Sequence, residues 1–338
     1  LGFGSIAADR ENATLKIINS QGASNFQLLA GRTLGLWIVS SLFFIPAFIV
    51  TGIVIALQKN ELTNADTIVR FLLTAFLYAI FCWIVSAITV VVSAKSNTAK
   101  STLIKLLGIL LLLAIILPRI AQVAGNSLYP APSKLSFETA IEKDILKQGD
   151  SHNPDDPFFK NLRDSIFSRY GVTNADSLPV NIGGIIGSEG ERLSAETYVK
   201  HYNELTNIYR KQNEVSKWTS FVNPFTMVKN NSMALSGSDF ESYISFQQQA
   251  EAYRYLLAQR MNELQTKFIS NAKPKEGSHV LHIDKKHFQE FADFNFQFLP
   301  IRQTISKEVM PLFAFLFWFT ISWLGLLYVS KNFKILAV

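Results

Sequence analysis

Four runs of this chain are too apolar to leave in water and long enough to cross a hydrocarbon layer, which takes about 20 residues of helix. They are Gly35–Leu57, Ile68–Ser93, Leu103–Val123 and Val309–Ser330. A buried helix in a large soluble protein can produce one such run. Four of them predict a mainly α, polytopic α-helical membrane protein. The composition agrees: 49% of the residues are hydrophobic and the mean hydropathy is +0.19. Within GLWIVSSLFFIPAFIVTGIVIAL, Pro46 is expected as a tolerated kink. Within LIKLLGILLLLAIILPRIAQV, Lys105 and Arg119 lie near the ends, where their charges can snorkel to an interface. Trp318, Trp323 and Tyr328 suit a membrane helix with aromatics toward its ends. The one cysteine, Cys82, sits inside a run, so no intramolecular disulfide forms and its expected role is packing.

Charge orients the runs. With residues 1–34, 94–102 and 331–338 on the inner side, Arg10, Lys16, Arg32, Lys95, Lys100, Lys105, Lys331 and Lys334 face only Asp9 and Glu11 there. Eight basic residues against two acidic ones account for the whole formal charge of +6. The outer loop 58–67 and the outer domain 124–307 are close to neutral, with 21 basic and 21 acidic residues between Asn126 and Lys307. An excess of Lys and Arg in short loops marks the cytoplasmic side, which predicts spans at 35–57, 68–93, 103–123 and 308–330. The basic pI of 9.2 therefore reflects orientation, and no aromatic-basic platform points to nucleic acid. No basic leader with a small-residue cleavage site follows Leu1.

The outer domain is expected to be largely helical. AETYVKHYNELTNIYRKQN (195–213) and FESYISFQQQAEAYRYLLAQRMNELQTKFI (240–269) carry aromatics and Leu at three- and four-residue spacing, and Ser238-Asp239 offers an N-cap to the second. Residues 223–239 predict a short helix or turn ending at Gly237. The Gly-rich SLPVNIGGIIGSEGER (177–192) lacks the Gly-Lys-Ser/Thr ending of a nucleotide loop and is expected to be a flexible surface loop. In HVLHIDKKHFQEFADFNFQFLP (279–300), His279, His282, Asp284 and His287 are candidate metal ligands that match no standard zinc spacing. The bland alternative is a polar turn followed by a strand alternating Phe294, Phe296 and Phe298. No nucleophile elbow, His-Glu-x-x-His or acidic pair within a span is present, so no catalytic residue, cofactor or proton relay is predicted.

The segment DRENATLKIINSQGASNFQLLAGRTLG (9–35) is similar to the cytoplasmic segment of ABC-2 type permeases. The likeness rests on Arg10-Glu11, Ala13-Thr14-Leu15 where the family usually has Gly before Thr-Leu, the turn Ser20–Ser24, and Leu28-Leu29-Ala30-Gly31-Arg32. Residues 221–263 resemble one branch of that family, which carries a large outer domain of unknown function. The phrases are Asn223-Pro224-Phe225, Ser232–Asp239 and Ala250–Arg254. The resemblance implies six spans, of which this stretch holds the third to sixth. It also implies a second permease subunit, alike or related, and a cytoplasmic ATPase dimer that binds ATP and Mg²⁺, since no Walker A loop is present here.

By that resemblance Arg10, Glu11, Thr14, Leu15, Lys16 and Ile18 form a coupling helix. Glu11 and Lys16 make rim ion pairs with the ATPase, and Leu15, Ile17 and Ile18 divide between its groove and the membrane helices. The expected protein is a multi-pass permease of the bacterial inner membrane, an exporter moving an unidentified substrate, in contact with lipid and with an envelope partner on the outer side. The rival reading is a non-transporting anchor whose outer domain binds an envelope protein, or an interfacial helix that lies on lipid headgroups.

Overall fold

The computed structural model describes residues 2–57, 65–272 and 282–333. In chain order its helices are α1 Ala7–Glu11, α2 Thr14–Ser20, α3 Asn25–Leu42, α4 Ile45–Leu57, α5 Ala65–Ala94 and α6 Ala99–Leu111. A π-helical turn, Leu112–Ile116, leads into α7 Leu117–Leu128. Then come α8 Lys134–Gln148, α9 Pro157–Tyr170, α10 Ile182–Trp218, α11 Pro224–Ser236, α12 Phe240–Phe268, α13 Lys286–Gln289, α14 Ile301–Lys307 and α15 Val309–Lys331. There is no strand among the described residues, so the protein is mainly α.

Ala65–Ala94, Ala99–Leu128 and Val309–Lys331 are each long and apolar enough to cross a membrane. The run expected as one kinked span at Gly35–Leu57 is instead two helices, α3 and α4, bent by 44°. Pro46 is the second residue of α4, where its missing N–H costs nothing, and the break falls at Phe43–Phe44 ahead of it. α3 starts ten residues before the apolar run because Ser24 and Gln27 form a capping box.

The chain divides into two compact units, one of residues 1–129, 211–242 and 299–338, the other of 130–210 and 243–298. This differs from a cut at residues 124 and 307, because 211–242 and 299–307 belong with the apolar helices.

In the first unit α5 is the central helix, packed by α3, α11 and α15. Its core joins Leu77, Trp83, Ile84 and Val90 of α5 to Met227 and Val228 of α11, Phe315 and Leu326 of α15, and Leu15 and Leu29. Trp323, expected near a membrane surface, instead lies against Trp83 at 5.0 Å between ring centroids, and Trp37 meets Trp83 at 6.3 Å. The indole N–H groups are satisfied internally: Trp37 donates to the Ala79 carbonyl, Trp83 to Ser322 Oγ and Trp318 to the Ser220 carbonyl.

α11 is held in this unit by polar groups as well as by burial. Arg70 on α5 donates from Nη1 to the carbonyls of Ala234 and Leu235 in the last turn of α11, the first of which also accepts the Gly237 N–H. Its Nη2 donates to the Leu299 carbonyl at 2.5 Å, and Asp66, paired with Arg70 Nε at 2.6 Å, accepts the Ile301 N–H. One ion pair thus closes the C-terminus of α11 and the start of α14. Gly237 ends α11 at φ 69°, as its place after the last apolar residue predicts.

In the other unit α10 and α12 run antiparallel. The expected Gly-rich loop is helical from Ile182 onward, and this is a correction with a packing cause. A Cβ added at Gly184 would lie 2.3 Å from Thr266 Oγ1 and 2.8 Å from the Asn262 carbonyl oxygen, so the glycines let two backbones approach. Further along, Ser188 bonds Gln259 and Glu191 pairs with Arg254 at 2.7 Å. Residues 294–298 are extended but form no strand. Gln249 replaces the missing ladder, donating from Nε2 to the Gln297 carbonyl and accepting the Gln297 N–H. Phe294 and Phe296 pack on Phe246 of α12 at 5.9 and 5.4 Å.

Candidate functional site

α1 is five residues long and has no capping side chain of its own. Ser93, in the last turn of α5, supplies the cap: its hydroxyl accepts the N–H groups of Ile6 and Ala7 at 3.1 and 3.0 Å and donates to the Phe3 carbonyl. At the other end Arg10 donates from Nη2 to the Ala94 carbonyl at 2.8 Å and from Nη1 to the Ser96 carbonyl. Those carbonyls end α5, where a cation is favoured by the helix dipole as well as by the hydrogen bonds. Arg10 is 9% exposed and its guanidinium lies over the Phe333 ring at 5.6 Å.

Glu11 is exposed, yet its carboxylate accepts the N–H of Ala99, the first residue of α6. Asp9 pairs with Arg32 of α3 at 2.5 Å. Asp9, Arg10 and Glu11 therefore fasten the short N-terminal helices to α3, to the end of α5 and to the start of α6. At the start of α3, Asn25 donates to the Ser330 carbonyl at the end of α15, and Lys95 lies over Tyr328 at 5.3 Å.

α2 is then set at a defined angle by one residue. Ala13 adopts φ 61°, ψ 4°, a left-handed conformation, and Thr14 returns to bond Asp9. That conformation is the physical reason a glycine suits the position. From this turn α2 buries Leu15, 1% exposed, into the core and turns Thr14, Lys16 and Ile17 outward, with Ile17 60% exposed and Ile18 half-buried.

Of the six coupling candidates, Thr14, Lys16 and Glu11 are therefore accessible, and Ile18 partly so. Arg10 and Leu15 are buried within the chain, Leu15 on the membrane-helix side of the division expected for it. The burial of Arg10 could not be read from sequence, since its partners are carbonyls 84 and 86 residues away. Of Leu15, Ile17 and Ile18, Ile17 is the one that faces outward, opposite Leu15 on the 3.6-residue period. The result is a small face, Glu11, Thr14, Lys16 and Ile17, on a segment bonded to the turn between α5 and α6.

A second polar centre ties α11 to the helix α6–α7. Pro118 has no N–H, and in the π turn the Leu117 N–H reaches back to the Leu112 carbonyl. In that register the Leu113 carbonyl would need the N–H that Pro118 lacks. Asn223, fully buried, donates to it from Nδ2 at 2.6 Å while its Oδ1 caps α11 by accepting the Phe225 N–H at 3.0 Å. The Asn-Pro-Phe phrase thus has a structural purpose.

Among the described residues the metal candidates are not brought together. His279 lies outside the described residues. His287 stacks on Phe268 at 4.5 Å, Asp284 is engaged by Lys286, and among the described residues no group of three His, Cys, Asp or Glu side chains could hold an ion.

Residues 134–297 match the family described as Domain of unknown function (DUF3526). That stretch takes in nearly all of the second unit together with the inserted 211–242. No curated protein and no solved structure matches the chain.

Proposed function

We propose that this chain is a permease subunit of an ATP-driven transporter, an exporter in which a separate ATPase dimer binds ATP and Mg²⁺. In this reading it is a multi-pass protein of the bacterial inner membrane, paired with a second permease subunit, with residues 134–297 on the outer side. The observation that carries the reading is the mounting of α2. The outward face of Glu11, Thr14, Lys16 and Ile17 continues from α1, whose Ile6, Ala7, Arg10 and Glu11 bond the end of α5 and the start of α6, and α2 itself is seated by the buried Leu15. A push on that face is passed to two helices long and apolar enough to cross a membrane. Force transfer needs contacts that differ between two states of the partner, and a rigidly mounted face is what such contacts act on. The ABC-2 resemblance of residues 9–35 supports the same assignment.

The test is co-purification from native membranes in mild detergent, followed by reconstitution in lipid. The wild-type chain should bring down an ATPase with a Walker A loop and support ATP hydrolysis. Lys16→Glu with Ile17→Asp should reduce that recovery at least tenfold while membrane insertion and the circular dichroism spectrum stay unchanged. Leu15 is unsuitable for the test, because a charge there would break the core. Undiminished recovery with the double variant refutes the coupling face. Recovery of no ATPase at all would favour the membrane-anchor reading.

A further inference from the structure

Glu308 stands at the head of α15 and is only 4% exposed. One carboxylate oxygen, Oε1, meets Lys217 Nζ of α10 at 2.6 Å. The other, Oε2, is buried and has no hydrogen-bond partner. A buried carboxylate normally has both oxygens served, so an orphaned one requires an explanation. Burial penalises its charge, and a proton on the carboxyl removes that charge.

The surrounding groups come from every strand of chain that meets here. Lys217 also donates to the Lys307 carbonyl at 2.7 Å, and Lys307 Nζ of α14 pairs with Glu241 of α12 at 2.9 Å. Asp239 caps the first turn of α12. From α5, Arg70 and Asp66 reach Thr304 and Ile301 and are paired with each other. The titratable group of α11, Lys229, is exposed. Two cations thus face three carboxylates, those of Glu308, Glu241 and Asp239, in a cluster that closes the end of α10 and the start of α12 onto α14 and α15.

We infer that Glu308 is a proton-binding site whose occupancy sets how tightly the ends of α10 and α12 are clasped to the head of α15. Burial pushes its carboxyl up from the ordinary value, Lys217 pulls it back, and Asp239 and Glu241 push it up again. A group whose pKa is higher in the closed clasp than in an opened, hydrated one binds its proton better when closed. Acid therefore closes the clasp, and alkali, leaving a buried charge, loosens it. The inference does not depend on the transport reading. In the proposed topology the site faces outward, so it would sense acidity outside the membrane.

Hydrogen exchange of the full chain in lipid nanodiscs, read by mass spectrometry from pH 7.5 down to the ordinary carboxylate value of about 4.5 and corrected for intrinsic chemical rates, tests this. Peptides covering 215–222 and 303–312 should gain protection as pH falls, by up to about tenfold per pH unit, the limit for one linked proton. Glu308→Gln should be protected at all pH values, with its slope lost. Lys217→Met, which removes the cation favouring the carboxylate, should move the transition to higher pH. All five histidines remain in these variants, so any slope they cause would persist in Glu308→Gln. A flat or inverted wild-type profile, or an unchanged slope in Glu308→Gln, overturns the proposal even if Lys217→Met fails to fold.

Discussion

Replacing Asn223 by Ala should cost about 2 kcal/mol, and the cost should fall by about half when Pro118 is also replaced by Ala. Asn223 makes two separable contributions. As the N-cap of α11 it satisfies the Phe225 N–H, and such a cap is worth about 1 kcal/mol. Its bond to the Leu113 carbonyl joins two helices in an apolar setting, where side-chain hydrogen bonds contribute about 0.6 and at most about 1.7 kcal/mol. Pro118→Ala restores an N–H in register with that carbonyl, so in this background Asn223→Ala should lose only the cap. The measurement is a double-mutant cycle by equilibrium unfolding in mixed micelles, followed by tryptophan fluorescence and circular dichroism, with equal denaturant slopes required of all four proteins. A coupling energy of about 1 kcal/mol is expected. Independent sites add within about 0.5 kcal/mol, so additivity on that scale would refute the claim that Asn223 serves the carbonyl orphaned by the proline.

Two further expectations concern glycine and the backbone. Ala13→Gly should raise the stability of the first unit by about 1 kcal/mol, because it relieves a side chain held at φ 61°; an unchanged or lower unfolding midpoint in the same assay would remove the strain argument. Gly184→Val should lower the stability of the second unit by at least about 2 kcal/mol, since its Cβ would meet backbone atoms of α12 at 2.7 and 2.8 Å. Thermal unfolding of the full chain followed by exchange protection in 182–192 and 258–268 checks this, and full protection in the variant would contradict the close packing.

Local periodicity and local caps were enough to place the apolar runs on helices, though not the break at Phe43–Phe44, and to give the helix Phe240–Phe268 within a residue, the stop at Gly237 and the Asp239 cap. Each of these depends on residues within about a turn of one another, so the information is present in a short window of sequence. The mainly α character of the described residues follows from the same source.

What tertiary structure decided was the partner of each group. Arg10 and Glu11 look alike as charged residues of a polar segment, but one is buried under the end of α5 and the other lies exposed at the start of α6. Gly183–Gly190 looks like a loop until α12 packs against it, since a glycine that weakens an isolated helix becomes favourable where a Cβ has no room. Phe294–Phe298 alternates like a strand, yet the neighbouring surface is a helix, so Gln249 takes over the backbone bonds that a second strand would have made. Leu113 needs an acceptor's partner only because Pro118 lacks an N–H, and that partner arrives from 110 residues away. Helix formation is decided by nearest neighbours along the chain, whereas burial, orphaned carbonyls and close backbone approach exist only once distant segments have been brought together.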